Sequence, residues 1–466
     1  MGQAYDAIVI GAGMSGLTAA IRVALGGMRV CLLERHNVPG GLNSYYTLGG
    51  RAFDVGLHAL TNYVPPRTGG APLTKILRQL RIRHEELRLG EQELSEIVFP
   101  GERLTFTNDF DHLQAEVERS FPTQRDAFAR LAALVREHEL EEADARPVSA
   151  RKVLSGLLGE ALLVEMILCP VLYYGSAQED DVDWNQFCIL FRSLFLEGLA
   201  RPEGGIRPVV NLLIKRLKRA GAELRYSAGV QAIRLQNGRA HAVELDDGTV
   251  LKARAILSSA GRVETLRLAG RDVPTAEMGR LSFIETNCLL DHFPAEREHR
   301  AATSFFCTQE RLAYRRPAEL MDVRSGVVSA PSNFASEKPL REGCMRLTVL
   351  ANHDRWSSLP EDEYLQAKER CADAAIEHAS QLFYDWRPGT VFRDVFTPRT
   401  IQRFTGHIGG AVYGSPCKSP TGASGIPGLT LIGTDQGYLG VVGAMMSGIA
   451  MANRHVLALS SQPVTA

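Results

Sequence analysis

Glycines at positions 11, 13 and 16, followed by a carboxylate at position 34, form a pattern with defined chemistry. In Gly11-Ala-Gly13-Met-Ser15-Gly16 the first glycine makes a tight turn. The second lets the backbone approach a pyrophosphate, and the third lets a helix and a strand pack closely. A helix that starts here, with Ser15 in its first turn, aims unpaired N–H groups and the positive end of its dipole at phosphates. Glu34 ends the next apolar stretch, where a carboxylate accepts hydrogen bonds from adenosine ribose hydroxyls; its charge argues against a 2′-phosphate. Arg35 beside it could counter such a phosphate, or be a solvated surface residue.

Two more segments separate FAD from NAD. Pro39-Gly40-Gly41 adds a second glycine pair on the pyrophosphate path. Near the other end, Leu429-Thr-Leu-Ile-Gly433-Thr-Asp435-Gln-Gly437 reads as a strand ending at Gly433, with Asp435 placed to accept from a ribitol. A helix from about Val442 and Gly443 would turn its N–H groups toward a flavin pyrimidine ring, favouring negative charge there. One G-x-G-x-x-G in strand–helix context leaves no second Rossmann site for NAD(P).

Other reactive side chains are more isolated. His58 is placed as a general acid, a polar gate or a structural histidine. Tyr413 could line a pocket over the flavin or simply pack. Cys417 lacks the context of a covalent flavin link, so the flavin is expected to be non-covalent. The eight cysteines show no C-x-x-C pair and no Cys/His cluster, so no metal is expected. No Gly-x-Ser-x-Gly elbow occurs.

The elements that must position these residues follow from the pattern. Ala7–Ile10 is a short buried strand, Ser15–Leu25 a helix and Arg29–Leu33 a second strand, giving a βαβ unit. Residues 73–199 read as mainly helical, with a hairpin at Ile97–Phe106, and Pro170 is expected to break a helix. Val209–Ala220 is an amphipathic helix. Strands follow at Leu224–Tyr226, Val230–Leu235, Ala240–Leu245 and Val250–Lys252, the later ones joined by Asn237-Gly238 and Asp247-Gly248. Ala255–Leu257 reads as a separate strand that returns to the main sheet. Strand Met345–Leu350 and helix Glu361–Leu382 lie further on. The fold class is α/β: a Rossmann-type FAD-binding domain from residues 1–65, 200–265 and 420–466. A mixed α+β substrate domain, 66–199 and 266–419, is inserted into it.

The bulk composition is ordinary for a globular chain of 466 residues, with 45% hydrophobic and 23% charged residues. Lys+Arg of 52 against Asp+Glu of 53 argues against nucleic acid as a partner. No secretory leader is evident, and Asp6 breaks the myristoylation pattern. A cytoplasmic setting is expected, with peripheral contact at the inner face of a membrane as a further expectation. The apolar stretches Val153–Leu172 and Phe187–Leu199 would suit a tunnel for a long hydrocarbon, a membrane-docking surface or ordinary core. Oligomeric state is not specified by any of this.

Taken together, G-x-G-x-x-G, Glu34, Gly40-Gly41, Phe53-Asp-Val-Gly56, Pro202-Glu-Gly-Gly205 and Gly433-Thr-Asp435-Gln-Gly437 resemble the phytoene desaturase superfamily of FAD enzymes. Gly56-Leu-His58, Thr397-Pro-Arg-Thr400, Gly409-Gly-Ala-Val-Tyr413-Gly414 and Leu439-Gly-Val-Val-Gly443-Ala444 are similar to the retinol saturase and carotenoid isomerase branch. The resemblance implies a backbone contact from Val230 to the adenine. Leu42 stands where desaturases carry arginine after the glycine pair. The implied activity is oxidoreduction or isomerisation at carbon–carbon double bonds of a lipophilic polyisoprenoid, carotenoid- or retinoid-like, with His58 and Tyr413 as catalytic candidates. The alternatives are a carotenoid-type desaturase, an amine-oxidising flavoenzyme of the same fold, and a non-catalytic FAD-containing scaffold subunit. An amine oxidase would carry an aromatic, Glu-containing C-terminal stretch, which Gly437–Gly443 lacks.

Overall fold

The run Ala7–Ile10 has no alternation because it has sheet on both sides and cover on both faces. Strand Tyr5–Ile10 pairs in parallel with Val30–Leu33 on one side and Val250–Ser258 on the other. The chain is described by a computed structural model over residues 4–139, 147–338 and 340–458. The outermost ends of the expected FAD-binding segments, residues 1–3 and 459–466, lie outside the described residues.

Parallel pairing continues to Leu429–Leu431 beyond Val250–Ser258 and to Glu223–Arg225 beyond Val30–Leu33. Both ends of the chain therefore meet in one seven-stranded sheet. Antiparallel strands Val230–Gln236 and Arg239–Leu245 join it through the first part of Val250–Ser258. The sequence suggests two strands at 250–252 and 255–257. No turn residue separates Lys252 from Ala255, and one continuous strand serves both hairpin and parallel sheet. Asn237 and Gly238 both take positive φ, whereas at Asp247-Gly248 only Gly248 does.

Helix Met14–Leu25 covers this sheet and packs against helix Gly440–Ala452. The contact is close: a Cβ on Gly448 would collide with the Ser15 carbonyl, and Thr18 Oγ1 donates to the Met445 carbonyl at 3.0 Å.

The second seven-stranded sheet runs Thr390–Phe396, Ser282–Leu290, Gly343–Ala351, Met321–Ser329, Thr303–Cys307, Ser95–Phe99, Glu102–Phe106. Its period-2 alternation sorts side chains onto two buried faces. Ile284, Cys288, Leu347 and Val349 join the core around Trp356 and helix Glu361–Ala379. Phe283, Phe305, Val327 and Leu350 join the core formed with the helices of residues 110–197.

Those helices include Ala150–Leu157, Ala161–Gly175 and Trp184–Phe191, the last continuing as a π-helical turn Arg192–Glu197. Pro170 lies inside Ala161–Gly175 and does not break it. Residues 163–173 are all buried, and packing outweighs the hydrogen bond that proline removes. Among the described residues no helix is long and apolar enough to cross a membrane.

Candidate flavin and substrate site

The glycine loop sits at the end of strand Tyr5–Ile10 and opens into helix Met14–Leu25. Gly11 takes φ +89°, and a Cβ on Gly16 would collide with the Gly11 carbonyl, so turn and helix close on each other through glycine alone. Gly13 is different. A Cβ there would meet nothing nearer than the Gly40 carbonyl at 4.0 Å, so its outward side faces open space. The Gly40 N–H donates to the Ala12 carbonyl at 2.8 Å, and a Cβ on Gly41 would lie 3.4 Å from Gly13 Cα. The two glycine motifs, far apart in sequence, thus lie against each other.

No side chain caps helix Met14–Leu25 and no acid stands in its first turn. Its N-terminal amides follow directly on Gly13, the N-cap residue with open space at its Cβ position, an arrangement that fits a pyrophosphate. Ser15 is buried at the contact with Gly433, whose own Cβ would sit 2.8 Å from Ser15 Oγ. Helix Gly440–Ala452 is likewise uncapped by side chains and starts two residues before Val442. Val442 is buried in the core, and a Cβ on Gly443 would be 3.0 Å from the Tyr438 carbonyl carbon.

The acids do more than the sequence suggests. Glu34 is buried; its Oε2 accepts the Ala12 N–H at 2.8 Å and its Oε1 the His36 N–H at 2.9 Å. The carboxylate therefore holds the glycine loop in place. The Ala228 N–H donates to the Glu34 carbonyl at 2.9 Å, which brings the start of strand Val230–Gln236 beside it. Asp435 is 2% exposed and accepts the Ser415 N–H at 2.7 Å, the Arg262 N–H at 2.5 Å and Lys418 Nζ at 3.4 Å. It ties three segments together, which leaves little of its acceptor capacity for a ribitol. Burial holds the Lys418 ammonium below its ordinary pKa, against the pull of Asp435. Arg35 is exposed and donates through Nη2 to the Arg403 carbonyl at 2.5 Å, at the end of helix Pro398–Thr405. Its guanidinium caps a helix C-terminus.

From Gly41 the chain reaches His58 by a short path. Gly56 takes φ +62°, and its Cβ would collide with the Leu42 carbonyl. Arg201 and Arg346 both donate to the Leu57 carbonyl, and Arg201 also pairs with Asp54. His58 is held over the second sheet. Its side chain is 16% exposed, with Nε2 at 3.2 Å from Thr348 Oγ1 and 3.4 Å from Glu285 Oε2. Arg346 donates to Glu285 Oε1 at 2.5 Å. Register explains the grouping: Glu285 lies opposite Thr348 and Asn287 opposite Arg346, all on one face. Burial acts to raise the Glu285 pKa, but Arg346 beside it wins and holds the carboxyl well below its usual range. Burial also lowers the His58 pKa, against the pull of Glu285.

Tyr413 stands over the same strand, its ring edge-on to Phe283 at 6.0 Å, two residues from Glu285. Its hydroxyl donates to the Tyr173 carbonyl, so the ring is available to a ligand but the O–H is committed. The partly buried Tyr174 packs on the fully buried Phe305, with 5.3 Å between ring centroids. Cys417 is exposed and free, while the other seven cysteines are buried and free.

Arg201, Glu285, Arg346, Thr348 and Lys418 carry no functional signal in the motifs above, and Asp54 enters there only as part of Phe53-Asp-Val-Gly56. For two of them a signal exists: Glu285 and Arg346 are the only charged residues inside the strands SFIETNCLL and GCMRLTVLA. Charges inside such strands are buried and need partners. The partner of each lies about sixty residues away and is visible only in the folded sheet.

Comparison with known proteins puts this site in context. The family model described as "Flavin containing amine oxidoreductase" matches residues 14–455. A chloroplastic prolycopene isomerase of Arabidopsis thaliana is 24% identical, over 97% of this chain and 82% of its own length. A neurosporene-forming phytoene desaturase of Rhodobacter capsulatus is 29% identical over 57% of this chain and 55% of its own length. Among solved structures, an oxidoreductase from Methanosarcina mazei superposes with a TM-score of 0.67 at 16% identity, covering 96% of this chain and 99% of that one. The resemblance drawn from the motifs and the α/β fold class both stand.

Proposed function

The chain belongs to the family of flavin containing amine oxidoreductases, and from that premise we propose that it binds FAD non-covalently and acts on carbon–carbon double bonds of a lipophilic polyisoprenoid, by isomerisation or saturation. The observation that carries this reading is the likeness to the prolycopene isomerase, which runs through the substrate-side sheet as well as the cofactor side. When bound, the flavin supplies reversible electron or hydride exchange with a conjugated chain.

The residues divide the work. Gly11, Gly13, Gly16, Gly40 and Gly41 provide a cradle without side chains, and the uncapped amides beside Ser15 provide the phosphate contacts. Glu34 orients the loop and the adenosine end, with the Val230 backbone next to it. Gly433, Asp435, Val442 and Gly443 frame the flavin end. The open face at Gly13 supports a dinucleotide, and an exposed Cys417 without a linking motif supports a non-covalent one. Residues 1–65, 200–265 and 420–466 are read as the FAD-binding part, supported by the strands of the first sheet; 66–199 and 266–419, which hold the second sheet, as the substrate part.

On the substrate side, the partly buried rings of Tyr174 and Tyr413, backed by the core residues Phe305 and Phe283, are the aromatic groups against which a polyene would lie. An amine is the poorer fit. Glu285 on this face and Asp54 beside it are already matched by Arg346 and Arg201, so neither carboxylate is left as the countercharge of a cation. A host lacking this gene should accumulate a polyene isomer that the wild type consumes, seen by chromatography. An unchanged polyene profile with a changed amine profile would reverse the assignment.

A further inference from the structure

We propose that Glu285, backed by Arg346 and Thr348, is a positioning residue that locks His58 in the tautomer with its proton on Nε2, so that Nδ1 meets a bound molecule as an acceptor. This rests on the reading of the aromatic face as the substrate site, but the tautomer itself does not.

Donors and acceptors around Nε2 select the tautomer. Nε2 faces two oxygens, Thr348 Oγ1 at 3.2 Å and Glu285 Oε2 at 3.4 Å. Thr348 Oγ1 is also 3.2 Å from Glu285 Oε2 and donates its single proton there. A carboxylate oxygen and a hydroxyl lone pair then both point at Nε2, and only an N–H satisfies them. The opposite tautomer would set the Nε2 lone pair against the carboxylate.

An imidazolium is disfavoured for a different reason. Glu285 already has its countercharge in Arg346, which is 2% exposed, and Asp54 has its own in Arg201. The buried charges balance, and a proton added to His58 would upset them. Burial acts in the same direction. With Nε2 protonated and the ring neutral, Nδ1 carries a lone pair. That atom is buried and has no hydrogen-bond partner among the described residues. Buried polar atoms without partners mark places where a ligand or ordered water completes the set. More of them share this sheet face: Arg346 Nε, Ser329 Oγ and Thr303 Oγ1 lie in one cross-strand row, next to the row of Glu285 and Thr348. His58 is thus set to receive a hydrogen bond or a proton at Nδ1. The general-acid role suggested by the sequence requires a proton that this arrangement places on the other nitrogen.

The test is nitrogen NMR of the FAD-loaded full chain labelled with 15N-histidine, the His58 ring assigned by its loss in His58→Gln. At pH 7 the ring should be neutral with the proton on Nε2. It should stay so below about 6.5, where an ordinary histidine titrates. Glu285→Gln, which keeps a carbonyl acceptor, should preserve the tautomer, while Glu285→Leu should mix the two. A ring protonated on Nδ1, or on both nitrogens at pH 7, overturns the proposal. The wild-type spectrum decides even if Glu285→Leu does not fold. No substrate is present, so a wrong substrate assignment leaves the result intact.

Discussion

Glu34 accepts the Ala12 N–H at 2.8 Å, twenty-two residues back along the chain, and so clamps the loop proposed to hold the phosphates. Gly13, the next residue, has free space where its Cβ would be. The two positions should respond differently to mutation. Gly13→Val is expected to leave the apoprotein's melting temperature near wild type while abolishing FAD binding, because the new side chain fills the space in front of the helix. Glu34→Ala removes two hydrogen bonds to a buried carboxylate and should destabilise the apoprotein itself by about 2–4 kcal/mol. Calorimetry of the apo forms and FAD titration separate the two effects. In the wild type, denaturing precipitation should release FAD into the supernatant.

The pair Arg346–Glu285 is buried on both sides. Arg346→Met leaves a carboxylate without its countercharge and should cost about 3–5 kcal/mol in denaturant unfolding. The double variant Arg346→Met with Glu285→Leu should recover part of that loss. Additive losses would show that the two side chains do not act as a pair.

The cofactor side could be read from the sequence because its features are local. Gly11, Gly13, Gly16 and Glu34 fall within a single strand–helix–strand unit, and each glycine's role follows from its spacing. The same holds for Asn237-Gly238. The substrate side was less readable because its site is made by register. His58, Glu285, Thr348 and Arg346 come from three distant segments, and only the pairing of two strands puts them on one face. Asp435 shows the limit of a motif. Its place just after the strand ending at Gly433 follows from the motif, but its bonds to Ser415, Arg262 and Lys418 depend on segments with no recognisable pattern. Pro170 shows where a local rule yields to packing.

Stability should depend on pH through His58. Its folded-state pKa lies below the ordinary value because the ring is buried, so the unfolded chain takes up a proton first as the pH falls below about 6.5. Stability present at pH 7 is therefore lost on acidification through that range. Glu285, held low by Arg346 despite its burial, adds a further loss below about pH 4.3, where the unfolded carboxyl protonates. Melting curves of wild type and His58→Gln should diverge between pH 7 and pH 5, with wild type losing more. Parallel curves would show that His58 titrates alike in both states.

Association with membranes should be peripheral. Among the described residues no helix is suited to span a bilayer, whereas the proposed substrate dissolves in one. Liposome flotation should show partial binding that a wash reverses. Carbonate-resistant binding, or none with or without polyene in the vesicles, would count against peripheral delivery of the substrate.

This flavin site is expected to act on polyene double bonds without net oxidation of the polyene. The direct measurement incubates the FAD-loaded enzyme with a polyene substrate in two regimes, anaerobically with dithionite-reduced flavin and aerobically or with quinone and oxidised flavin. Chromatography and mass spectrometry then follow the products. The prediction is a mass-neutral isomer, or a gain of hydrogens, in the reduced regime. Loss of hydrogens confined to the oxidising regime would contradict it and identify a desaturase.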